Sequence, residues 1–216
     1  MPNWCNNNLI LSGNLKELEK VQKDIEKGDF FNSILPIPTE LADTQSPARD
    51  ETQEQKDKNK ALKEKHGCDN WYDWRVNNWG TKWDIDADSF YQNEIVKITD
   101  NTGKLLLAFD TAWAPPEGIY NAIVDQEILG VNAYYYEPGC DFAGHYYNGH
   151  DDCITISDCD DDYFEMNDLG RSLDGYYNIL ESREMWREEE EADKKNEELK
   201  TAEELSKDKH QGREGI

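Results

Sequence analysis

Apolar residues in this 216-residue chain recur at two different spacings, and segments with one spacing alternate with segments that have the other. Residues 5–12 alternate apolar and polar side chains, which is the period of a half-buried strand. Residues 15–25 instead place an apolar side chain at every third or fourth position, which predicts an amphipathic helix that ends near Gly28. The same pair of patterns returns later, with two alternating runs between residues 94 and 109 and a helical stripe over residues 119–126.

The order of these patterns predicts an α+β fold. Reading along the chain gives strand, helix, insertion, hairpin, helix, strand and hairpin, so two helices are separated by strands. We expect both helices to cover one face of a mostly antiparallel sheet, and a ferredoxin-like split βαβ sandwich is the simplest match. Residues 1–160 form this predicted domain, and residues 161–216 form an acidic segment followed by a charged helical tail.

Two polar or proline-containing segments interrupt the first half of the chain. The stretch SILPIPTEL, which contains Pro36 and Pro38, is expected to be extended because each proline disfavours helix in the residue before it. Residues 42–67 contain almost nothing to bury, so we interpret them as an inserted loop and a solvated helix.

Four of the seven tryptophans lie within the thirteen residues from Trp71 to Trp83. A small two-layer domain with few aliphatic residues needs large apolar side chains, so we expect these rings to be core. Trp83 and Ile85 alternate with polar residues as in a strand. An alternative hypothesis makes this segment the wall of a small-ligand site that holds an anion, through Trp74, Arg75, Trp79 and Lys82.

Two hairpins are expected. Asp100 to Gly103 has the composition of a turn, and Val96 and Ile98 are predicted to face the same way as the apolar residues of the following strand. The second turn is Asn148-Gly149, the strongest short-range hairpin signal.

The net charge of −24 and the pI of about 4.4 exclude whole classes of partner. Nucleic-acid binding without sequence preference depends on Lys and Arg, and an anionic membrane surface repels an acidic protein, so neither partner is expected. Between Glu137 and Asp174 eleven acids accompany one base. We therefore predict a basic protein surface as the partner, bound through six carboxylates: Asp151, Asp152, Asp158, Asp160, Asp161 and Asp162.

No metal site is predicted, and a non-enzymatic protein is favoured over an enzyme. Soft ligands do cluster near the second hairpin, namely Cys140, His145, His150, Cys153 and Cys159, but their spacing lacks the C-x-x-C pair typical of zinc sites. Phosphate-loop, nucleophile-elbow and dinucleotide motifs are missing, so no catalytic residue and no cofactor is assigned. Five cysteines, an odd number, fit reduced thiols, and the amino terminus lacks the features of a signal peptide, so a cytoplasmic protein is expected.

Five segments together resemble the YubB-type ferredoxin-like family of plasmid and phage proteins. They are MPNWCNNNLILSG, ILPIPTEL, WYDWRVNNWGTKWD, FDTAWAPP and YYEPGCDFAGHYYNG, in that order over roughly the first 150 residues. The resemblance implies a ferredoxin-like topology, which is not an iron centre, and it carries over no catalytic residue or cofactor.

These observations lead to one functional hypothesis with two alternatives. The leading hypothesis is a non-enzymatic accessory protein of a plasmid or phage that acts in the host cytoplasm. It binds a basic host protein through its acidic surface, for example inhibiting a nucleic-acid-binding defence factor by charge mimicry. The alternatives are the small-ligand protein or enzyme described above, and a structural or assembly subunit that pairs through the charged tail. The sequence predicts neither the partner's identity nor the oligomeric state.

Overall fold

The computed structural model of the protein describes residues 3–46 and 52–211. Its strands are Trp4–Asn14 (β1), Phe90–Lys97 (β2), Thr102–Ala112 (β3), Leu129–Glu137 (β4), Phe142–Tyr147 (β5) and His150–Thr155 (β6). Its helices are Leu15–Glu26 (α1), Phe30–Ile34 (α2), Thr39–Ala42 (α3), Gln53–His66 (α4), Trp71–Trp79 (α5), Glu117–Asp125 (α6), Asp161–Met166 (α7), Asp168–Tyr177 (α8) and Ile179–Gln211 (α9). The chain divides into two compact units between Asp160 and Asp161.

A single antiparallel sheet organises the first unit. Its strand order is β2-β3-β1-β4-β5-β6, and every neighbouring pair is antiparallel. In the centre Leu9 of β1 lies opposite Leu107 of β3 and Ala133 of β4, and all three side chains are buried. The α+β class and the mostly antiparallel sheet are therefore confirmed.

Helices α1 and α6 complete the core on one face of this sheet. Asn14 caps α1 by accepting a hydrogen bond from the backbone N–H of Lys16 at 2.9 Å, as expected for Asn at this position. Leu18 and Ile25 of α1 and Ile119 of α6 belong to the same buried cluster as the inward residues of β1, β3 and β4. The predicted helical stripes are thus confirmed.

The proline-containing stretch is extended only in its middle. Helix α2 ends at Ile34, two residues before Pro36, and α3 begins at Thr39, directly after Pro38. The prediction of an extended segment was wrong at both ends, because a proline disfavours helix in the residue that precedes it but not in the one that follows.

The polar insertion contains the expected helix, α4. Thr52 and Gln55 form a reciprocal capping box at its start, and Gly67 ends it with a φ of 78°. One residue of α4, Leu62, is buried, and Lys65 pairs with Glu40 of α3 at 2.7 Å. Residues 47–51 of the predicted insertion lie outside the described residues.

The predicted strand at Trp83 and Ile85 is not formed, because the side chain between them, that of Asp84, binds the backbone of α2. The Asp84 carboxylate accepts hydrogen bonds from the backbone N–H groups of Phe31 at 2.8 Å and Asn32 at 3.0 Å. This segment is therefore irregular and anchors the beginning of α2. Trp83 is 40% exposed, so the prediction that it is core was wrong.

The inward face of β2 also differs from the prediction. Ile95 lies opposite Leu105 and is packed against the core, which turns its neighbour Val96 outward. Val96 and Ile98 are both exposed, so a shift of one residue reversed the predicted face.

The second unit consists of α7, α8 and α9. Its buried apolar residues include Phe164, Leu173 and Ile179. Asp161 at the start of α7 is paired with two residues of α9, Arg183 at 3.0 Å and Arg187 at 2.8 Å. None of the helices in the described part of the chain is long and apolar enough to cross a membrane.

Candidate functional site

Strand β6 forms one outer edge of the sheet and carries two of the predicted binding residues. A two-residue turn joins it to β5. Asn148 and Gly149 have φ values of 46° and 93°, the left-handed conformation that such turns require. The predicted hairpin is therefore confirmed, with Tyr147 opposite His150.

The backbone of β6 presents unpaired hydrogen-bonding groups along this edge. In an antiparallel pair, alternate residues bond to the neighbouring strand. Because the two-residue turn places His150 opposite Tyr147, the backbone groups of His150, Asp152 and Ile154 bond to β5. The N–H and C=O groups of Asp151 and Cys153 therefore point away from the sheet. In the described sheet β6 pairs with β5 alone, and no turn, cap or loop bond between backbones in residues 3–46 and 52–211 involves these groups. The edge can therefore accept a further strand.

The two carboxylates of β6 lie on opposite faces of the sheet, since successive side chains of a strand alternate. Asp151 lies on the helix-bearing face, where the Tyr135 hydroxyl donates to Oδ1 at 2.9 Å. Partial burial raises the pKa of Asp151, and the hydrogen bond from Tyr135 opposes this shift. Asp152 lies opposite His145 on the other face. Both aspartates are exposed, so a ligand along the edge would meet negative charge on either side.

The other four predicted residues are divided between the two units. Asp158 lies in a 3₁₀ turn and Asp160 follows it, both exposed and both in the first unit. Asp161 and Asp162 begin α7 in the second unit. The guanidinium groups of Arg187 and Arg183 lower the pKa of Asp161, so this carboxylate is already paired within its own unit.

The alternative site at the tryptophan segment is only partly assembled. Trp74 and Trp79 are buried in the core, and the Trp79 indole N–H donates to the Leu35 carbonyl at 2.8 Å. Arg75 stacks its guanidinium 4.6 Å from the centroid of the Trp79 ring and lines a cavity. Lys82 does not line this cavity, and its ammonium lies 3.8 Å from the centroid of Trp83. The four residues therefore do not converge on one anion.

This cavity is an open cleft of about 930 Å³. It lies where the end of β3 meets the beginnings of β1 and β2. The residues that line it are Trp4, Arg75, Trp83, Asp84, Ile85, Asp86, Asp88, Ser89, Tyr91, Asp110, Thr111 and Ala112. Four carboxylates thus accompany one guanidinium, so the charge of the lining opposes an anionic ligand.

The soft ligands near the second hairpin do not form a metal site. Across the described residues no group of three or more His, Cys, Asp or Glu side chains is arranged to hold a metal ion. His145 has a different set of contacts. Its ring stacks on Tyr134 with centroids 4.3 Å apart, and its Nε2 lies 2.7 Å from Oδ1 of Asn132.

Stability is expected to decrease more steeply below pH 6.5 in the wild type than in a His145→Gln variant. Burial lowers the pKa of His145, while the nearby carboxylates of Asp152 and Asp151 oppose the shift. As the pH falls through the usual histidine range, the unfolded chain binds more protons at this position than the folded chain, so the free energy of unfolding falls. Thermal midpoints at a series of pH values test this. Equal slopes for the wild type and the His145→Gln variant would contradict the expectation.

Comparison of the chain with protein-family models, with curated proteins and with solved structures found no match. Function is therefore inferred from the geometry of the chain itself.

Proposed function

We propose that this protein binds a basic segment of another protein, which adds to the sheet as a strand beside β6. The observation that carries the proposal is the unpaired backbone of Asp151 and Cys153 on an edge strand with a carboxylate on each face. In strand addition, main-chain hydrogen bonds supply affinity and alternate side chains supply specificity.

The charges of the edge select the kind of strand that fits. Two adjacent residues of the incoming segment point to opposite faces, so neighbouring Lys or Arg side chains can meet Asp151 and Asp152 separately. A second copy of β6 would instead bring carboxylates together, which disfavours self-association through this edge. Asp158 and Asp160 extend the negative field beyond the strand, and the net charge of −24 accelerates the approach of a basic partner.

The fold supports the predicted family as part of this proposal. The strand order β2-β3-β1-β4, with α1 following β1 and α6 joining β3 to β4, supports a ferredoxin-like sandwich to which β5 and β6 are added. Under the YubB-type resemblance the protein is an accessory protein of a plasmid or phage and the partner is a host protein. One such partner is a defence factor whose nucleic-acid groove receives the carboxylates in place of phosphates.

The test uses a labelled peptide with two adjacent lysines between valine and threonine residues, and fluorescence anisotropy with the full chain. An Asp151→Asn/Asp152→Asn variant is expected to bind about tenfold more weakly, which corresponds to about 1.4 kcal/mol. The same peptide with N-methyl groups on the amides that would face β6 should also lose about tenfold, because its charge is unchanged but its strand hydrogen bonds are removed.

An Asp57→Asn/Asp100→Asn variant is the matched control. Both of these aspartates are exposed and lie outside β6, so the net charge changes equally while the edge is intact. This control should bind the peptide as the wild type does. Equal losses in both double variants, or full affinity for the methylated peptide, would reject strand addition at β6.

A further inference from the structure

We infer that the cleft between β1, β2 and β3 is a second binding site, and that its ligand is an organic cation carrying an alkylammonium or guanidinium group. The site is separate from β6, since the cleft is formed at one end of the strand order and β6 lies at the other. The inference does not depend on strand addition.

Three aromatic side chains of the cleft are accessible to a ligand. Trp4 is 47% exposed, Trp83 is 40% exposed and Tyr91 is 75% exposed. The rings of Trp4 and Trp83 lie 6.0 Å apart at an interplanar angle of 36°. Trp79, Phe109 and other aromatic side chains of this unit are buried in its core, whereas the rings of the cleft are partly open to solvent.

The structure already contains ammonium and guanidinium groups on rings of this segment. Nζ of Lys82 lies 3.8 Å from the centroid of Trp83, and the Arg75 guanidinium lies 4.6 Å from that of Trp79. Both distances are within the range of a favourable cation–π interaction. Only Trp83 of these two rings lines the cleft, and the Lys82 contact shows that this indole accommodates a cation.

Carboxylates supply the hydrogen-bond acceptors that a cation requires. Asp110 is held in place by Asn6 Nδ2, which donates to Oδ1 at 2.6 Å, and by the Tyr91 hydroxyl, which donates to Oδ2 at 2.6 Å. Asp86 and Asp88 are exposed, and no side-chain hydrogen bond in the described part of the chain occupies their carboxylates. Their lone pairs can therefore receive N–H donors from a ligand.

Arg75 does not convert the cleft into an anion site. Its guanidinium stacks on Trp79, donates to the Lys82 carbonyl at 3.4 Å, and has a buried Nε without a hydrogen-bond partner. Burial lowers the pKa of Arg75 and the charge of Asp84 opposes that shift. Because Arg75 faces four carboxylates, the potential in the cleft favours a positive ligand.

The test follows the indole N–H signals of Trp4 and Trp83 in ¹⁵N-resolved spectra of the full chain during titration. Two probes distinguish the possible sources of the cation. Spermidine represents a free polyamine, and a capped tripeptide with a central lysine represents a protein side chain. Saturable shifts of both indoles with either probe support the inference, and the tighter of the two probes identifies the source.

Paired variants decide whether the cleft itself is responsible. Asp86→Asn/Asp88→Asn is expected to weaken binding of the better probe about fivefold, and Trp83→Leu about threefold, as for partly exposed cation–π contacts. The Asp57→Asn/Asp100→Asn and Asp151→Asn/Asp152→Asn variants should bind as the wild type does, which separates this result from the behaviour of β6. Spectral dispersion shows that each variant is folded.

Three outcomes would overturn the inference. The first is no shift of either indole with either probe at about 10 mM, the weak end of specific binding. The second is an equal response to the tripeptide whose lysine is acetylated, because that ligand keeps the peptide and the alkyl chain but has no positive charge. The third is binding of a neutral oligosaccharide with an affinity equal to that of the cations, which would assign the exposed rings to sugar stacking.

Discussion

Replacing Trp79 with alanine is expected to lower the free energy of unfolding of the first unit by about 3–5 kcal/mol. The side chain is completely buried, and its ring meets Phe31 edge to face at 5.9 Å and Trp74 at 6.1 Å between centroids. Alanine would leave a cavity between α5 and α2 and would remove the hydrogen bond to the Leu35 carbonyl. Urea denaturation of the full chain, followed by tryptophan fluorescence and circular dichroism, measures the loss.

Trp186→Ala is the control for this substitution. Trp186 lies in α9 and is 73% exposed, so its replacement is expected to change stability by less than about 0.5 kcal/mol. If the two alanine variants unfold at the same urea concentration, the tryptophan segment does not form the core that the structure shows.

A Gly118→Ala variant is expected to lose about 1–3 kcal/mol of stability through overpacking. A methyl group at this position would lie 1.8 Å from the carbonyl oxygen of Asn78, which is main chain near the end of α5. Backbone atoms cannot move aside as the end of a flexible side chain can. In an exposed helix the same change usually stabilises by about 0.5–1 kcal/mol, so the sign of the effect reports the close approach of α5 and α6.

Gly175→Ala provides that exposed helical comparison. It lies in α8, and its added methyl group meets no atom within 4 Å. We expect this variant to be as stable as the wild type or slightly more stable, as measured by thermal midpoints of both proteins. A gain in stability for Gly118→Ala as well would show that the two helices are further apart than described.

Elements with a strong local signal were predictable from the sequence. The helical stripe beginning at Leu15 is capped by Asn14, and the Asn148-Gly149 turn determines the pairing of β5 with β6. In these segments the local preferences and the tertiary packing agree, so periodicity alone indicates the structure.

Segments whose conformation depends on distant partners were not predictable. Trp83 and Ile85 alternate as in a strand, but the Asp84 carboxylate binds backbone groups of α2, about fifty residues earlier in the chain. Val96 was assigned to the wrong face because hairpin register depends on where the turn begins, and an error of one residue reverses every side chain.

One of the two candidate sites could be predicted from the sequence and the other could not. The separation of Asp151 from Asp152 follows from the alternation of the predicted strand, so that signal was present in the sequence. The cleft had no such signal, because Trp4, Tyr91 and Asp110 come from three segments that only the sheet brings together. Trp4 and Tyr91 also resemble ordinary strand residues until their exposure is known.

The Asp84 carboxylate lines the cleft and also accepts hydrogen bonds from the backbone N–H groups of Phe31 and Asn32 in α2 and of Ile85. The negative charge that Asp84 contributes to the cleft is therefore a consequence of its hydrogen bonds to α2. The side chains of Asp86 and Asp88 hold no such backbone contact in the described residues, so their replacement would change the charge of the cleft without disturbing α2. A basic residue at position 84 would remove the carboxylate that accepts the backbone hydrogen bonds of α2. The fold therefore constrains the charge of the cleft more strongly at this position than at Asp86 or Asp88.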